Sequence, residues 1–165
     1  MGQFYFKKEW LPILISHEKD LVFSSFKRKD AFDIGVDIVK LAKEKYKGNI
    51  SVCIYEEDML IFSHKMQGTN IENDKWMFRK MNVSKAMGMS SIRALVEIER
   101  GLCDASWSDN DNSFIACGGC YLVNVEDNEP YILILVSGLE HYLDHQIIVD
   151  AVSGKLNITL PSISF

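Results

Sequence analysis

Two imidazoles one helical turn apart, His141 and His145, with Asp144 between them, form the first cluster in the chain whose residue types could do chemistry. Side chains four residues apart share one helix face, a spacing that can hold a metal ion. The run His141-Tyr-Leu-Asp-His145 is close to an inverted zinc-protease motif, with Asp where that motif has Glu. Asp is shorter and places its carboxylate differently, and neither His17 nor His64 is an evident third ligand. The plain alternative has His145 held by hydrogen bonds near a helix start and His141 in solvent. Cys117-Gly-Gly-Cys120 has redox spacing. It precedes a strand, however, rather than opening a helix, so nothing evident lowers a thiol pKa. The plain reading is two small buried residues around a backbone that must approach something closely. Paired Gly118 and Gly119 permit that approach.

A second cluster, Asn73-Asp-Lys-Trp76-Met-Phe-Arg79-Lys80, sets an aromatic beside two cations at i+3 and i+4. That combination suits a flat, anionic ligand; the ordinary reading has Trp76 in the core and the cations at its rim. P-loop, nucleophile-elbow and dinucleotide fingerprints are absent from the sequence.

These residues need elements to position them. Gly119–Val125 and the continuously apolar run 131–136 read as an antiparallel hairpin around the turn 126–130, the second strand covered on both faces. From Leu139 the period changes: Leu139, Leu143, Ile147 and Ala151 mark an amphipathic helix. Upstream, 21–26 is a β-prone first strand. Residues 30–47 have the pattern of an amphipathic helix stopped by Gly48 and Asn49. Residues 50–55 and 59–63 form a second hairpin. Thr69-x-x-Glu72 matches a capping box for a helix from Ile71 to about Met87. Ser90 or Ser91 caps another, running to Arg100, and the polar stretch 103–112 is a solvated loop without calcium-loop spacing. Residues 1–20 read as a short helix or extended arm because Pro12 breaks any long helix, and 156–165 as a docking tail. The sum is one α+β domain over 1–165, with five mostly antiparallel strands flanked by helices.

The chain has 165 residues, 47% of them hydrophobic, enough for a core without disulfides or a structural metal. A formal charge of −5 argues against nucleic acid as a partner. No apolar run reaches membrane-spanning length, and no secretion signal is evident. Met1-Gly2 resembles a myristoylation start, but Phe6 stands where Ser or Thr is expected. Four sparse cysteines fit a reducing, cytoplasmic setting.

Three blocks together resemble a known family: Phe26-x-x-x-Asp30-Ala31-x-x-x-Gly35; Asn73-Asp74-x-Trp76-x-x-Arg79-Lys80 with Ser90-Ser91; and Gly118-Gly119 with Ser137-Gly138-Leu139 and Asp144-His145. They are similar to the haem-degrading-domain family, also called GlcG/HbpS-like or PduO C-terminal-like, over about residues 21–153. The resemblance implies a profilin-like α-β-α fold with a five-stranded antiparallel sheet, homo-oligomers and, in some branches, haem binding or breakdown. The branch usually has His before the paired glycines, where this chain has Cys117. His145 is the best-matched imidazole.

The reading expected from all this is a cytoplasmic homo-oligomer that binds a small flat or anionic ligand, with haem a possible cofactor. Candidate contacts are Trp76, Arg79, Lys80, Cys117, Gly118, Gly119 and His145. The alternatives are an oligomeric scaffold without ligand, and a thiol-redox or haem-degrading enzyme.

Overall fold

The computed structural model describes residues 4–165; the Met1-Gly2 start lies outside the described residues. Six strands and five α-helices follow in the order α1 (Trp10–Asp20), β1 (Val22–Phe23), α2 (Arg28–Leu41), β2 (Ser51–Glu56), β3 (Met59–Lys65), α3 (Ile71–Met87), α4 (Ser91–Glu99), β4 (Cys120–Leu122), β5 (Asn124–Val125), β6 (Ile132–Ser137) and α5 (His141–Leu156). A π-turn over Ala42–Tyr46 extends α2.

The main sheet is four-stranded and antiparallel, in the order β3-β2-β6-β4. It is helix-clad on both faces, which explains why β6 is apolar at nearly every position. Its Ile132, Ile134 and Val136 join Val52, Ile54 and Tyr121 under α2 and α5. Leu133 and Leu135 turn the other way, with Cys53 and Cys120, against Met77 and Met81 of α3. Burying these side chains on both faces is the main force holding the layers together.

One sheet of five antiparallel strands is not what forms. The expected first strand is reduced to Val22–Phe23, which pairs in parallel with Asn124–Val125 as a separate two-stranded sheet. The expected strand 119–125 is accordingly divided. Its first part, Cys120–Leu122, pairs with β6, and its last two residues leave to join β1.

Two helix starts also differ from expectation. Pro12 sits in the first turn of the eleven-residue α1, where its missing N–H would have had no intrahelical partner. The α3 cap is Asn70 rather than Thr69: Glu72 N donates to Asn70 Oδ1 at 2.9 Å and Asn70 N to Asn73 Oδ1 at 3.0 Å. Asn73 Nδ2 then donates to the Ser137 carbonyl at 3.2 Å, pinning the start of α3 to the end of β6. The tail lies on α1 and α5, where Ile163 is buried and its N–H donates to Gln146 Oε1 at 2.9 Å. Among the described residues no helix is long and apolar enough to cross a membrane.

Candidate functional site

Where α3 passes over the β6–α5 corner, the chain leaves a cleft of about 520 Å³. That falls in the range of small-molecule sites. Asn73, Trp76 and Lys80, on one face of α3, form one side, and Ser137, Gly138, Leu139, His141 and Asp144 form the other. Phe4 and Cys117 also line it, and Asn70 and two carboxylates, Glu72 and Glu140, complete the lining.

The floor is a buried ion pair. Lys80 Nζ lies 3.1 Å from Asp144 Oδ2 and donates to the Val136 carbonyl at 3.1 Å, and both charged side chains are 3% exposed. Asp144 Oδ1 accepts from Leu139 N at 2.9 Å, in the first turn of α5 where a carboxylate suits the helix dipole. Burial pushes the Asp144 carboxyl up to about 6, against the opposing pull of Lys80 and the backbone donors. An ammonium has three N–H bonds, and the protein acceptors found for Lys80 engage two of them.

The glycine pair explains how the charges come so close. A Cβ on Gly118 would strike the His141 carbonyl, and Gly119, at φ 126°, sits against Lys80 and the Val136 carbonyl. A side chain at either position would push α5 or Lys80 away. Gly118 N donates to His141 Nδ1 at 3.1 Å, which assigns the imidazole proton to Nε2; Nε2 then donates to the Tyr5 carbonyl at 2.8 Å. Burial lowers the His141 pKa, so at neutral pH it is an uncharged donor.

The cleft thus gathers Trp76, Lys80 and Cys117, with Gly118 and Gly119 just behind them. Arg79 lies beside it, its guanidinium 5.1 Å from the Trp76 ring centroid and its buried Nε without a hydrogen-bond partner. His145 lies elsewhere. It is fully buried one turn deeper in α5, its Nε2 3.1 Å from His17 Nδ1 of α1. An imidazole there faces another helix rather than the cleft. Burial raises the Cys117 thiol to about 11 and the Cys120 thiol to about 12, so neither is a ready thiolate at neutral pH. Among the described residues no cluster of three or more His, Cys, Asp or Glu could hold a metal ion.

Sequence reasoning missed Phe4 and the use of Asp144 as the counter-charge of Lys80. No local signal reveals Phe4. Asp144 stood inside a quoted block, but its partner lies 64 positions away.

Haem would ask three things of this cleft: a flat apolar wall, cations for its carboxylates and an axial ligand. Trp76 and Leu139 supply a wall, and Lys80 and Arg79 supply cations. The axial ligand is the poor fit. His141 is the imidazole on the cleft, and its Nε2 carries a proton already given to Tyr5. The residues therefore fit the plane and the carboxylates of haem better than its iron.

The family described as haem degrading protein HbpS-like matches residues 26–153. A UPF0303 protein of Psychromonas ingrahamii is 25% identical over 148 residues, covering 88% of this chain and 92% of the relative. A UPF0303 protein of Streptomyces coelicolor is 27% identical over 140 residues, covering 84% and 88%. Among solved structures, the Ybr137w protein superposes with a TM-score of 0.77 at 25% identity, covering 89% of this chain and 88% of its own. The PduOC:haem complex superposes with a TM-score of 0.66 at 14% identity, covering 85% and 99%; that likeness shows the fold alone.

Proposed function

This chain belongs to the haem-degrading HbpS-like family, and from that premise we propose that it is a non-enzymatic, oligomeric small-ligand-binding protein. Its ligand is flat and anionic, and haem is the first candidate. The observation that carries the reading is the pairing of an aromatic wall, Trp76, with a buried ammonium, Lys80, at the floor of one cleft. A planar ring stacks on the first, and a carboxylate meets the free N–H of the second and the guanidinium of Arg79. The PduOC protein, which shares the fold, was solved as a haem complex, and that makes haem the first ligand to try.

The raised thiols of Cys117 and Cys120 give no support to redox catalysis. Assembly with further copies of the chain is supported by exposed apolar side chains on both sides of the edge strand β3, with Phe32 and Val36 of α2 on one face and Leu60 on the other. A cytoplasmic setting is the accompanying expectation.

Titration with hemin tests the reading. A saturable Soret shift is expected, weakened in Trp76→Ala and Arg79→Ala. A featureless titration removes haem, and native mass spectrometry of the purified protein then identifies whatever else occupies the cleft.

A further inference from the structure

The cleft already holds something, and it comes from the chain itself. The Phe4 ring stands edge-on to Trp76, centroids 6.1 Å apart, and tilts against His141 at 5.2 Å. The next carbonyl, that of Tyr5, takes the Nε2 proton of His141 at 2.8 Å. The Tyr5 side chain contributes nothing to this and is 83% exposed. From Phe6 onward the arm is anchored outside the cleft. Phe6 packs on the Trp10 cluster, Lys7 Nζ lies 5.2 Å from the Phe165 ring centroid, and the Lys7 carbonyl accepts from Trp10 N at 3.1 Å.

We propose that Phe4-Tyr5 is a built-in competitor for the cleft, its ring and carbonyl holding the two subsites that an incoming ligand must take. The inference rests on the reading of the cleft as a ligand site and narrows the ligand class. The segment is a template: a planar aromatic group against Trp76 and His141, with an acceptor oxygen within reach of the His141 Nε2–H. A ligand of that shape replaces each contact that it breaks. One with no acceptor leaves a donor unsatisfied, and one with no ring leaves Trp76 uncovered; both are disfavoured. The anchor from Phe6 onward keeps the displaced segment near the cleft, so it reseats when ligand leaves.

Two probes and two readouts test this on the full chain. Hemin is followed by its Soret band, and 2-naphthoate, a metal-free planar carboxylate, by calorimetry. Tryptic cleavage after Lys7, for which the protease must also take Phe4-Tyr5 as extended chain out of the cleft, reports whether the arm is seated. Phe4→Ala should bind both probes roughly 3- to 10-fold more tightly than wild type, the worth of one aromatic pair. Saturating 2-naphthoate should speed cleavage of the wild-type arm towards the rate of Phe4→Ala. Tyr5→Ala, which keeps its carbonyl, should leave both readouts unchanged. Equal or weaker binding by Phe4→Ala makes the ring part of the wall and overturns the proposal, while the ligand site stands. Ligand binding without faster cleavage overturns it as well. If neither protein binds either probe, the ligand reading falls and takes the competitor with it.

Discussion

Lys80 and Asp144 face each other across the cleft floor almost without water, and neither can be changed alone without cost. Lys80→Met strands the Asp144 carboxylate in the core and should destabilise the protein by about 3–5 kcal/mol, read from urea unfolding. The double variant with Asp144→Leu should recover most of that loss, because replacing both buried charges with apolar groups is often near neutral. A double variant as unstable as the single would mean that the pair does more than neutralise itself. The buried thiols offer a second check. Native protein should lose Cys103, the partly exposed thiol, to an alkylating agent well before Cys117 and Cys120, which burial holds at about 11 and about 12. At this scale the sequence was informative where spacing is local. Trp76 and Lys80, one turn apart, line one cleft, and Arg79 lies against the Trp76 ring. His145 shows the limit: its spacing from His141 fixes a helix face, but not which other element will cover that face.

Among the elements, the Gly118-Gly119 corner sets how near β4 comes to both α3 and α5. Gly119→Ala should cost at least about 1–3 kcal/mol from its positive φ alone, and more from contact with Lys80 and the Val136 carbonyl. A second junction, between α1, α5 and the tail, is made by imidazoles. His17 Nε2 donates to the Pro161 carbonyl at 2.6 Å, and His17 Nδ1 therefore accepts from His145 Nε2. Burial lowers the pKa of His17 and lowers that of His145 much further. In the unfolded chain both imidazoles take up protons near pH 6.5. In the folded chain they resist, so this stability is present above that pH and lost as pH falls below it. Each neutral imidazole contributes a slope of up to about 1.4 kcal/mol per pH unit. Asp144 works the other way: its raised carboxyl favours the folded state at low pH, and that contribution is lost as pH rises through about 6. The urea midpoint should therefore fall from pH 7 to pH 5, with His141, also lowered by burial, adding to the fall, and Asp144 and Glu18, both raised by burial, opposing it. His17→Gln, which keeps a donor and an acceptor, should flatten the fall; an unchanged slope would free His17 of the effect. The long helices were legible because a 3.6-residue apolar period survives any packing. The strand count was not, because Asn124-Val125 leaves β6 for Val22-Phe23, a choice set by where the chain passes rather than by β-propensity.

Among the described residues, the flank made by β3 and α2 is an edge that the fold leaves uncovered. β3 is an edge strand of the main sheet, seven residues long, with Met59 and Leu60 each 48% exposed. Beside it α2 exposes Phe32 and Val36, and Phe62 helps to line the groove between strand and helix. Edge strands in monomers are usually blunted by prolines, charges or a covering loop. Here Lys65, at the far end, is the charged residue of the strand. An antiparallel edge can pair with its own copy about a two-fold axis, and such a contact would cover the exposed apolar side chains that flank β3 on both faces. Light scattering should accordingly give a mass at least twice that of one chain. Phe32→Glu combined with Leu60→Lys should lower it while leaving the far-ultraviolet circular dichroism unchanged. The cleft lies at the β6–α5 corner, away from β3, so the dissociated variant should still bind 2-naphthoate with wild-type affinity. A monomeric wild type would overturn the pairing of β3 edges, and loss of binding on dissociation would mean that a neighbouring copy completes the cleft.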